Sequence, residues 1–288
     1  MKKESIHVRV LTATDLHQSK LHYRGLASAV DQHRPDALAL VGDFLDMMAG
    51  RYHLDTAECA KFLADLPVEH LLCVRGNHED SNWPTFVAAW PHEQRKLIAL
   101  YGSAYTVGPL VIVGFPCLLG SEFDWCAHLS PDSNQMRQAP EKSRECLVAV
   151  AQTWLPKLMH ALGPPGRSLW LAHECPIGPP LAHPGVFNST WNGAVERFLP
   201  HVVISGHDHD APLDSGQWQA RLGRTLCVNV GQTDIDFHYT VLDFEFASCA
   251  PSLPSQIRIK AFPWLSEIVV DPKCPEHQPS NLPLPKET

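Results

Sequence analysis

Acidic, imidazole and amide side chains recur in five short groups between residues 15 and 209, and each group directly follows a predicted strand. The groups are Asp15-Leu16-His17, Gly42-Asp43-Phe44-Leu45-Asp46, Gly76-Asn77-His78-Glu79, the single His173, and Gly206-His207-Asp208-His209. Carboxylate, imidazole and amide oxygen groups are ligands that Mn, Fe, Zn and Ni accept in proteins. No cysteine occurs in the set, which argues against a structural zinc site. These residue types therefore indicate a site for two divalent metal ions.

The spacing within the groups predicts which side chains share a face. In a strand end of the x-His-x-His type, alternate side chains point the same way. We therefore expect His207 and His209 to face the site together, as Asp15 and His17 do. Asp208 lies between the two histidines, so we expect it to point away from the site, either behind the ligands or toward solvent.

The first third of the chain contains the elements that must position these groups. Short apolar strands are predicted over 6–13, 37–41 and 69–74, and amphipathic helices over 20–33 and 54–66. This alternation indicates βαβ units and a partly parallel sheet in an α/β fold. Ligands of open α/β sheets bind outside the carboxyl ends of the strands. The five polar groups are therefore expected to meet at one sheet edge.

The rest of the chain is less regular. We predict a helix over 82–100 with a break at Pro91, a strand over 110–115, a loop over 120–139 and a helical stretch over 141–162 divided at Pro156. Further strands are predicted at 168–172, 201–205, 225–230, 238–246 and 256–262, and their closer spacing favours an antiparallel portion. Residues 271–288 contain five prolines without periodicity. We expect one domain over 1–270 and a Pro-rich tail over 271–288.

Composition excludes several classes of protein. The chain has 288 residues and a net charge of −8, from 23 Lys and Arg against 31 Asp and Glu. A net acidic chain without a basic stripe is poorly suited to bind nucleic acid stably, which weakens a nuclease function. No apolar run is long enough to span a membrane, and the charged N-terminus lacks a secretory pattern. The nine cysteines form no C-x-x-C pair, so we expect reduced, packed thiols in a cytoplasmic protein.

The five groups, taken in order, resemble the sequence blocks of the calcineurin-like metallophosphoesterase superfamily. Those blocks are DxH, GDxxD, GNH[DE], a lone His and GHxH, and all are present here between residues 15 and 209. The resemblance implies a four-layer α/β/β/α sandwich of two mixed sheets flanked by helices. It also implies an enzyme that hydrolyses phosphate esters with two divalent metal ions. The residue types leave the identity of the metal open among Mn, Fe, Zn and Ni.

The resemblance further implies a role for each matched side chain. It places seven ligands around the metal ions: Asp15, His17 and His209 on the first, Asn77, His173 and His207 on the second, and Asp43 bridging both. His78 would act as the general acid opposite a metal-bridging hydroxide. Asp46 would hydrogen-bond to His78 and fix its ring.

Several readings of the substrate follow from the sequence. The protein Ser/Thr phosphatase branch resembles the chain at Arg75-Gly76-Asn77-His78-Glu79, but it has Gly where Gln18 stands and a phosphate-gripping Arg where Met47 stands. We therefore predict a small phosphomonoester or phosphodiester substrate, with protein phosphatase as the alternative. A non-catalytic scaffold of the same fold is disfavoured because His78 and all seven ligand positions are intact. The variable segments 117–138 and 174–191 are expected to set specificity. An aromatic residue there, such as Phe187 or Trp191, could stack on a nucleobase or pack on the scaffold.

Overall fold

The strands of the protein divide between two mixed sheets. The computed structural model describes residues 5–46, 52–79, 81–93, 95–115, 117, 168–248, 253–264 and 266–270. In chain order the strands are β1 (Ser5–Ala13), β2 (Ala37–Val41), β3 (His70–Val74), β4 (Ile98–Ala99), β5 (Ser103–Val107), β6 (Leu110–Phe115), β7 (Ser168–Ala172), β8 (Val202–Ile204), β9 (Gln219–Leu222), β10 (Thr225–Val228), β11 (Tyr239–Ala247), β12 (Pro254–Phe262) and β13 (Ser266–Val270). The helices are α1 (Lys20–His33), α2 (Thr56–Asp65), α3 (Trp83–Ala89), α4 (Ser189–Phe198) and α5 (Ala211–Ser215).

Each sheet combines a run of parallel strands with antiparallel strands. The first sheet has the order β13-β12-β11-β1-β2-β3-β4. Its strands β1 to β4 run parallel, while β11, β12 and β13 add antiparallel pairs. The second sheet has the order β5-β6-β7-β8-β10-β9, in which β6, β7, β8 and β10 are parallel. Its outer strands β5 and β9 are antiparallel to their neighbours.

The core lies between the sheets and on both of their outer faces. In β2 the buried residues alternate: Ala39 packs between the sheets and Leu40 packs beneath the helices. This alternation follows from the two-residue period of a strand, and burial on both faces explains the continuous apolar run. The helices α1, α2 and α3 cover the first sheet, and α4 covers the second. The predicted four-layer α/β/β/α sandwich is confirmed.

Local signals in the sequence set the ends of the first two helices. The Ser19 side chain accepts a hydrogen bond at the start of α1, and α1 ends at Arg34, directly before a proline. Asp55 and Glu58 form a capping box at the start of α2. Such caps satisfy the amide groups that have no partner inside the helix. The predictions for α1 and β2 are therefore confirmed, and α2 lies within its predicted range.

Other predictions were wrong or lie outside the described residues. The helix predicted over 82–100 ends at Ala89, because Trp90 precedes Pro91 and takes an extended conformation. The antiparallel prediction holds for β11 and β12 but fails for β7, β8 and β10, which α4 and α5 connect in parallel. The elements α4, α5, β4, β5, β9 and β13 were not predicted, and β4 lies where a helix was predicted. The loop predicted over 120–139, the helix over 141–162 and the tail over 271–288 fall outside the described residues, so the proposed division into domains stays a prediction.

The cysteines that the structure describes agree with the expected packed thiols. Cys59, Cys73, Cys117, Cys175 and Cys227 are all free and buried. Separately, none of the helices in the described ranges has the length and apolar character needed to cross a bilayer.

Candidate metal centre

Loops from both sheets bring the five sequence groups together at one edge. The loops after β1, β2 and β3 come from the first sheet, and those after β7 and β8 come from the second. Backbone hydrogen bonds join neighbouring loops, since the Asp15 amide donates to the Gly42 carbonyl at 3.0 Å and the Gly206 amide donates to the His173 carbonyl at 2.9 Å. All the residues predicted to bind metal therefore lie along this edge.

The first cluster consists of Asp15, His17 and His209, whose ligand atoms lie within 4.8 Å of one another. The His209 Nε2 atom is 3.2 Å from Asp15 Oδ1 and 3.2 Å from His17 Nε2. Asp15 also accepts hydrogen bonds from the Thr14 hydroxyl at 2.7 Å and from the His207 amide at 3.1 Å. Burial alone would raise the pKa of Asp15, but the hydrogen bond with His209 and the neighbouring imidazole charges lower it below its ordinary value. Asp15 is therefore ionised at neutral pH.

The second cluster contains His173, Asp43, Asn77 and His207. The His173 Nε2 atom lies 3.2 Å from Asp43 Oδ2 and 3.2 Å from Asn77 Oδ1, while its Nδ1 donates to the Val41 carbonyl at 2.8 Å. Because Nδ1 carries the proton of the neutral ring, the Nε2 lone pair faces two oxygen acceptors. Burial lowers the pKa of His173, but the Asp43 charge and hydrogen bond outweigh it and raise the pKa to about 10. This position therefore requires a positive charge, either a proton or a metal ion.

The spacing of the clusters fits divalent metal ions. Metal–nitrogen and metal–oxygen bonds of about 2.0–2.2 Å place neighbouring ligand atoms about 3.0–3.5 Å apart. The 3.2 Å contacts in both clusters fall in this interval. Asp43 belongs to one group of close ligand atoms with His17 and to another with His173 and His207. Its carboxylate could therefore contact both ions.

His78 and Asp46 lie beside the clusters. The His78 Nδ1 atom is 3.2 Å from Asp46 Oδ1, and Nε2 is 3.9 Å from Asp43 Oδ2. The backbone amide of His78 donates to Asp43 Oδ1 at 2.9 Å. The imidazole packs edge-on against His17, with 4.7 Å between ring centroids. The side chain keeps 28% of its surface exposed, so Nε2 can meet a substrate at the mouth of the site.

The ligand loops adopt backbone conformations that strand alternation does not describe. β8 ends at Ile204, and His207 has a φ of 68°. His207 consequently joins the Asp43 cluster while His209 joins the Asp15 cluster. Both histidines face the same cavity, as predicted, but the turn after β8 places them there rather than strand alternation. Asp15, His17 and Asp43 also have positive φ, a conformation that is uncommon for non-glycine residues and that Asp and His adopt more readily than most.

Glu79 has a part in the site that the sequence prediction did not assign. Its fully buried carboxylate accepts hydrogen bonds from the amides of Asp43 at 3.0 Å, Leu45 at 2.9 Å and Gly76 at 2.5 Å. Burial and the nearby Asp43 charge raise the pKa of Glu79 to about 8. Glu79 therefore joins the loop that carries Asp43 to the loop that carries Asn77. The available signal was an acidic residue directly after the Gly-Asn-His group.

Asp208 likewise positions a ligand loop. Of the two placements expected for it, behind the ligands or in solvent, the structure shows the first, because Asp208 is buried. It accepts hydrogen bonds from the His183 amide at 2.6 Å and the Ala211 amide at 3.0 Å, and it pairs with His183 Nδ1 at 3.0 Å. These contacts fix the segment between His207 and His209.

Trp191 and Arg75 both pack inside the protein, against aromatic side chains. Trp191 is buried against Phe115, with ring centroids 4.8 Å apart, and its indole N–H donates to Glu174 at 3.4 Å. Its ring is therefore not available to a nucleobase. The Arg75 guanidinium lies 5.6 Å from the Trp83 ring centroid, in a cation–π contact, and is buried.

Two cavities open at the ligand edge. The smaller, about 400 Å³, is lined by residues of both clusters together with His78 and His183. The larger, about 780 Å³, begins at Asp15, His17 and His209 and extends along α1. The second cavity offers space beyond the first cluster for a larger molecule.

Comparisons with known proteins agree with this architecture. The family model of the calcineurin-like phosphoesterases matches residues 8–211. A dimetal phosphatase from Danio rerio superimposes with a TM-score of 0.56 at 13% identity, covering 92% of this chain and 98% of its own. The protein TT1561 of Thermus thermophilus gives a TM-score of 0.52 at 12% identity, with coverage of 92% and 99%. No curated protein matches the chain. The fold and the ordered groups that could hold metal ions are those of the metallophosphoesterase class. The chain belongs to the calcineurin-like phosphoesterase family.

Proposed function

We propose that the protein hydrolyses small phosphate esters with two divalent metal ions. In this proposal Asp15, His17 and His209 hold one ion, Asn77, His173 and His207 hold the other, and Asp43 contacts both. The observation that carries the proposal is the convergence of Asp43 Oδ2, Asn77 Oδ1 and His173 Nε2, with 3.2 Å contacts, at a buried position that requires a positive charge. Mn, Fe, Zn and Ni all accept this mixed nitrogen and oxygen set.

The charge of the site suits an anionic substrate. Asp15 and Asp43 supply two negative charges against the four positive charges of two divalent ions. The loaded site would carry a local charge of about +2 before substrate binds, although the chain is acidic overall. When bound, the metal ions would withdraw charge from the phosphate oxygens and lower the pKa of a water molecule.

His78, oriented by Asp46, would protonate the leaving ester oxygen. In the proposed hydrolysis, water forms a bond to phosphorus and releases a proton to solvent, and the bond from phosphorus to the ester oxygen breaks. That oxygen takes a proton from His78 Nε2, and solvent then returns a proton to His78. Asp46 accepts a hydrogen bond from His78 Nδ1, which fixes the orientation of the ring during the transfer. Such a general acid typically contributes about 10²–10⁴ to the rate.

Small esters are favoured over phosphoproteins. Gln18 is fully buried; its side-chain oxygen accepts a hydrogen bond from the Asp46 amide at 3.0 Å, and its amide nitrogen donates to Thr56 at 3.2 Å. Gln18 thus supports the loop of Asp46 where the protein phosphatase branch has Gly. The intact ligand set and His78 argue against a non-catalytic scaffold. We further infer a cytoplasmic location, because a reducing compartment preserves free thiols such as the five that are described.

The test is hydrolysis of p-nitrophenyl phosphate and bis(p-nitrophenyl) phosphate with metal analysis. We expect EDTA to abolish turnover and Mn²⁺ to restore it, with about two metal ions per chain. Asp43→Asn should reduce both metal content and turnover. A metal-free preparation that keeps full activity would overturn the proposal, as would no turnover of either ester with Mn, Fe, Zn, Ni or Co.

A further inference from the structure

Two side chains from other loops hold the backbone of Asp46, the residue that contacts His78. The Gln18 side-chain oxygen accepts a hydrogen bond from the Asp46 amide at 3.0 Å, and the Asn82 side-chain amide donates to the Asp46 carbonyl. Gln18 lies in the loop after β1 and Asn82 directly precedes α3, whereas Asp46 lies in the loop after β2. Both polar groups of the Asp46 backbone are therefore bound by segments that are distant from it in the chain.

Gln18 is itself fixed by contacts on more than one side. Its backbone amide donates to the Phe44 carbonyl at 3.1 Å, and its side-chain nitrogen donates to the hydroxyl of Thr56, the first residue of α2, at 3.2 Å. The residue is fully buried and has a φ of 54°, a conformation that glycine adopts at much lower cost. The side-chain contacts of Gln18 therefore offset a strained backbone.

The orientation of the His78 ring depends on the position of Asp46. Asp46 Oδ1 is 3.2 Å from His78 Nδ1, and this contact determines which nitrogen of the neutral ring carries the proton. Because the aspartate side chain is short, a shift of its backbone moves the carboxylate with it. A misplacement of about 1 Å in a catalytic arrangement can cost about 10²-fold in rate. The contacts that hold the Asp46 backbone therefore bear on the position of the proton donor.

We propose, on the basis of the proposed function, that Gln18 and Asn82 are positioning residues for the proton donor. They hold the Asp46 backbone, Asp46 holds the His78 ring, and His78 Nε2 is thereby directed at the leaving ester oxygen. Neither Gln18 nor Asn82 is among the described residues that line the two cavities at the ligand edge, so both act through Asp46.

The first test measures kcat for phenyl phosphate and for p-nitrophenyl phosphate in metal-loaded Gln18→Met and Asn82→Ala. Methionine has nearly the size of glutamine but lacks its strong acceptor oxygen. Each variant should lower kcat for phenyl phosphate by about fivefold, the rate equivalent of one hydrogen bond. The change for p-nitrophenyl phosphate should stay within about twofold, because its leaving oxygen needs little protonation. Metal content should be unchanged.

Two further variants separate positioning from a general structural effect. In an Asp46→Ala background no carboxylate is left to position, so Gln18→Met should cause no further loss on phenyl phosphate. Gln232→Met is the matched control, because Gln232 is also buried but its side chain binds the His238 amide at 2.9 Å and the Thr14 carbonyl at 3.2 Å. Gln232→Met should change kcat for both substrates by the same factor.

The second test needs no turnover. In chelator-treated protein, nuclear magnetic resonance of ¹⁵N-labelled histidine reports which nitrogen of the neutral His78 ring carries the proton, and His78→Ala identifies the signal. We expect the proton on Nδ1 in the wild type. Gln18→Met and Asn82→Ala should move it toward Nε2, in the direction that Asp46→Ala shows. Circular dichroism verifies folding, and Asn82 is only half-buried, so its variant keeps the test available if Gln18→Met does not fold.

The possible outcomes separate this proposal from the proposed function. Equal losses on both substrates in Gln18→Met and Asn82→Ala, or an unchanged His78 tautomer in both, would overturn the positioning role alone. So would a further loss of about fivefold in the Asp46→Ala background, or the same substrate selectivity in Gln232→Met. A wild-type protein that hydrolyses no ester with any metal would overturn the proposed function. The tautomer of His78 would then still decide whether Gln18 and Asn82 hold the ring through Asp46.

Discussion

Replacing His78 tests whether this residue donates a proton to the leaving group or binds a metal ion. His78→Ala removes an imidazole whose Nε2 lies 3.9 Å from Asp43 Oδ2, but it retains the backbone amide that donates to Asp43. If His78 is the general acid, its loss should lower kcat by about 10²–10⁴. The side chain is 28% exposed, so water can replace part of its function, and we expect a loss of about 10²–10³.

The effect of Asp46 follows from the same geometry. A hydrogen bond to a charged group contributes about 1.5–3 kcal/mol. The 3.2 Å contact between His78 Nδ1 and Asp46 Oδ1 is longer than a typical charge-assisted bond, so the lower end applies. Asp46→Asn should therefore lower kcat by about tenfold, because about 1.4 kcal/mol corresponds to one factor of ten.

The assay is steady-state hydrolysis of a series of aryl phosphates, combined with measurement of bound metal. Protonation matters most when the leaving oxygen is basic. The loss in His78→Ala should therefore be large for phenyl phosphate and small for p-nitrophenyl phosphate, at unchanged metal content. His7→Ala, an exposed histidine on β1, is the matched control. Because His78 also lies near His17 and Asp43, loss of one metal ion in His78→Ala would refute the reasoning and make His78 a ligand.

Two further predictions concern protons. In chelator-treated protein the pKa of Glu79 is about 8 in the folded state against 4.5 in the unfolded state, so its protonation stabilises the fold fully below pH 4.5, and this contribution is lost as pH rises through 8. In urea titrations between pH 5.5 and 7.5, this group should lower the free energy of unfolding by about 1.4 kcal/mol per pH unit. Glu79→Gln should lack this decline, and equal slopes in the two proteins would contradict the assignment. Burial lowers the pKa of His173, but Asp43 raises it to about 10, so a metal ion must displace a proton from this ring. The Kd for Mn²⁺, measured by calorimetry, should therefore fall by about tenfold per pH unit between pH 6.5 and 8.5. A Kd that does not change with pH would argue against His173 as a ligand.

Much of the fold could be predicted because the local signals were strong. Ala37–Val41 is an apolar run between a proline-ended helix and Gly42, and it forms a central strand buried on both faces. The order of the second sheet could not be predicted in the same way. β8 has only three residues, and nothing in its composition distinguishes a parallel neighbour from an antiparallel one. That choice depends on the crossover through α4, whose helical pattern was not recognised.

The residues of the candidate site could be proposed from the sequence, but their mutual arrangement could not. The strand ends predicted a common edge, and the structure brings Asp15, Asp43 and His173 to it. Positive φ at His207 depends on packing of loops from both sheets, so no local pattern reveals which cluster it joins. Glu79 was missed for a related reason: its partners are backbone amides, which have no sequence signature.

The division of the ligands between the two sheets has a consequence for the lifetime of the protein. Asp15, Asp43 and Asn77 follow strands of the first sheet, whereas His173 and His207 follow strands of the second. Bound ions would thus add cross-links between layers that apolar packing and a few hydrogen bonds, such as the one from His173 Nδ1 to the Val41 carbonyl, already hold together. At a free metal concentration one hundred times Kd, each ion would add about 2.7 kcal/mol to the free energy of unfolding. A shortage of metal in the cell would then make the chain more susceptible to proteolysis, in addition to removing its activity.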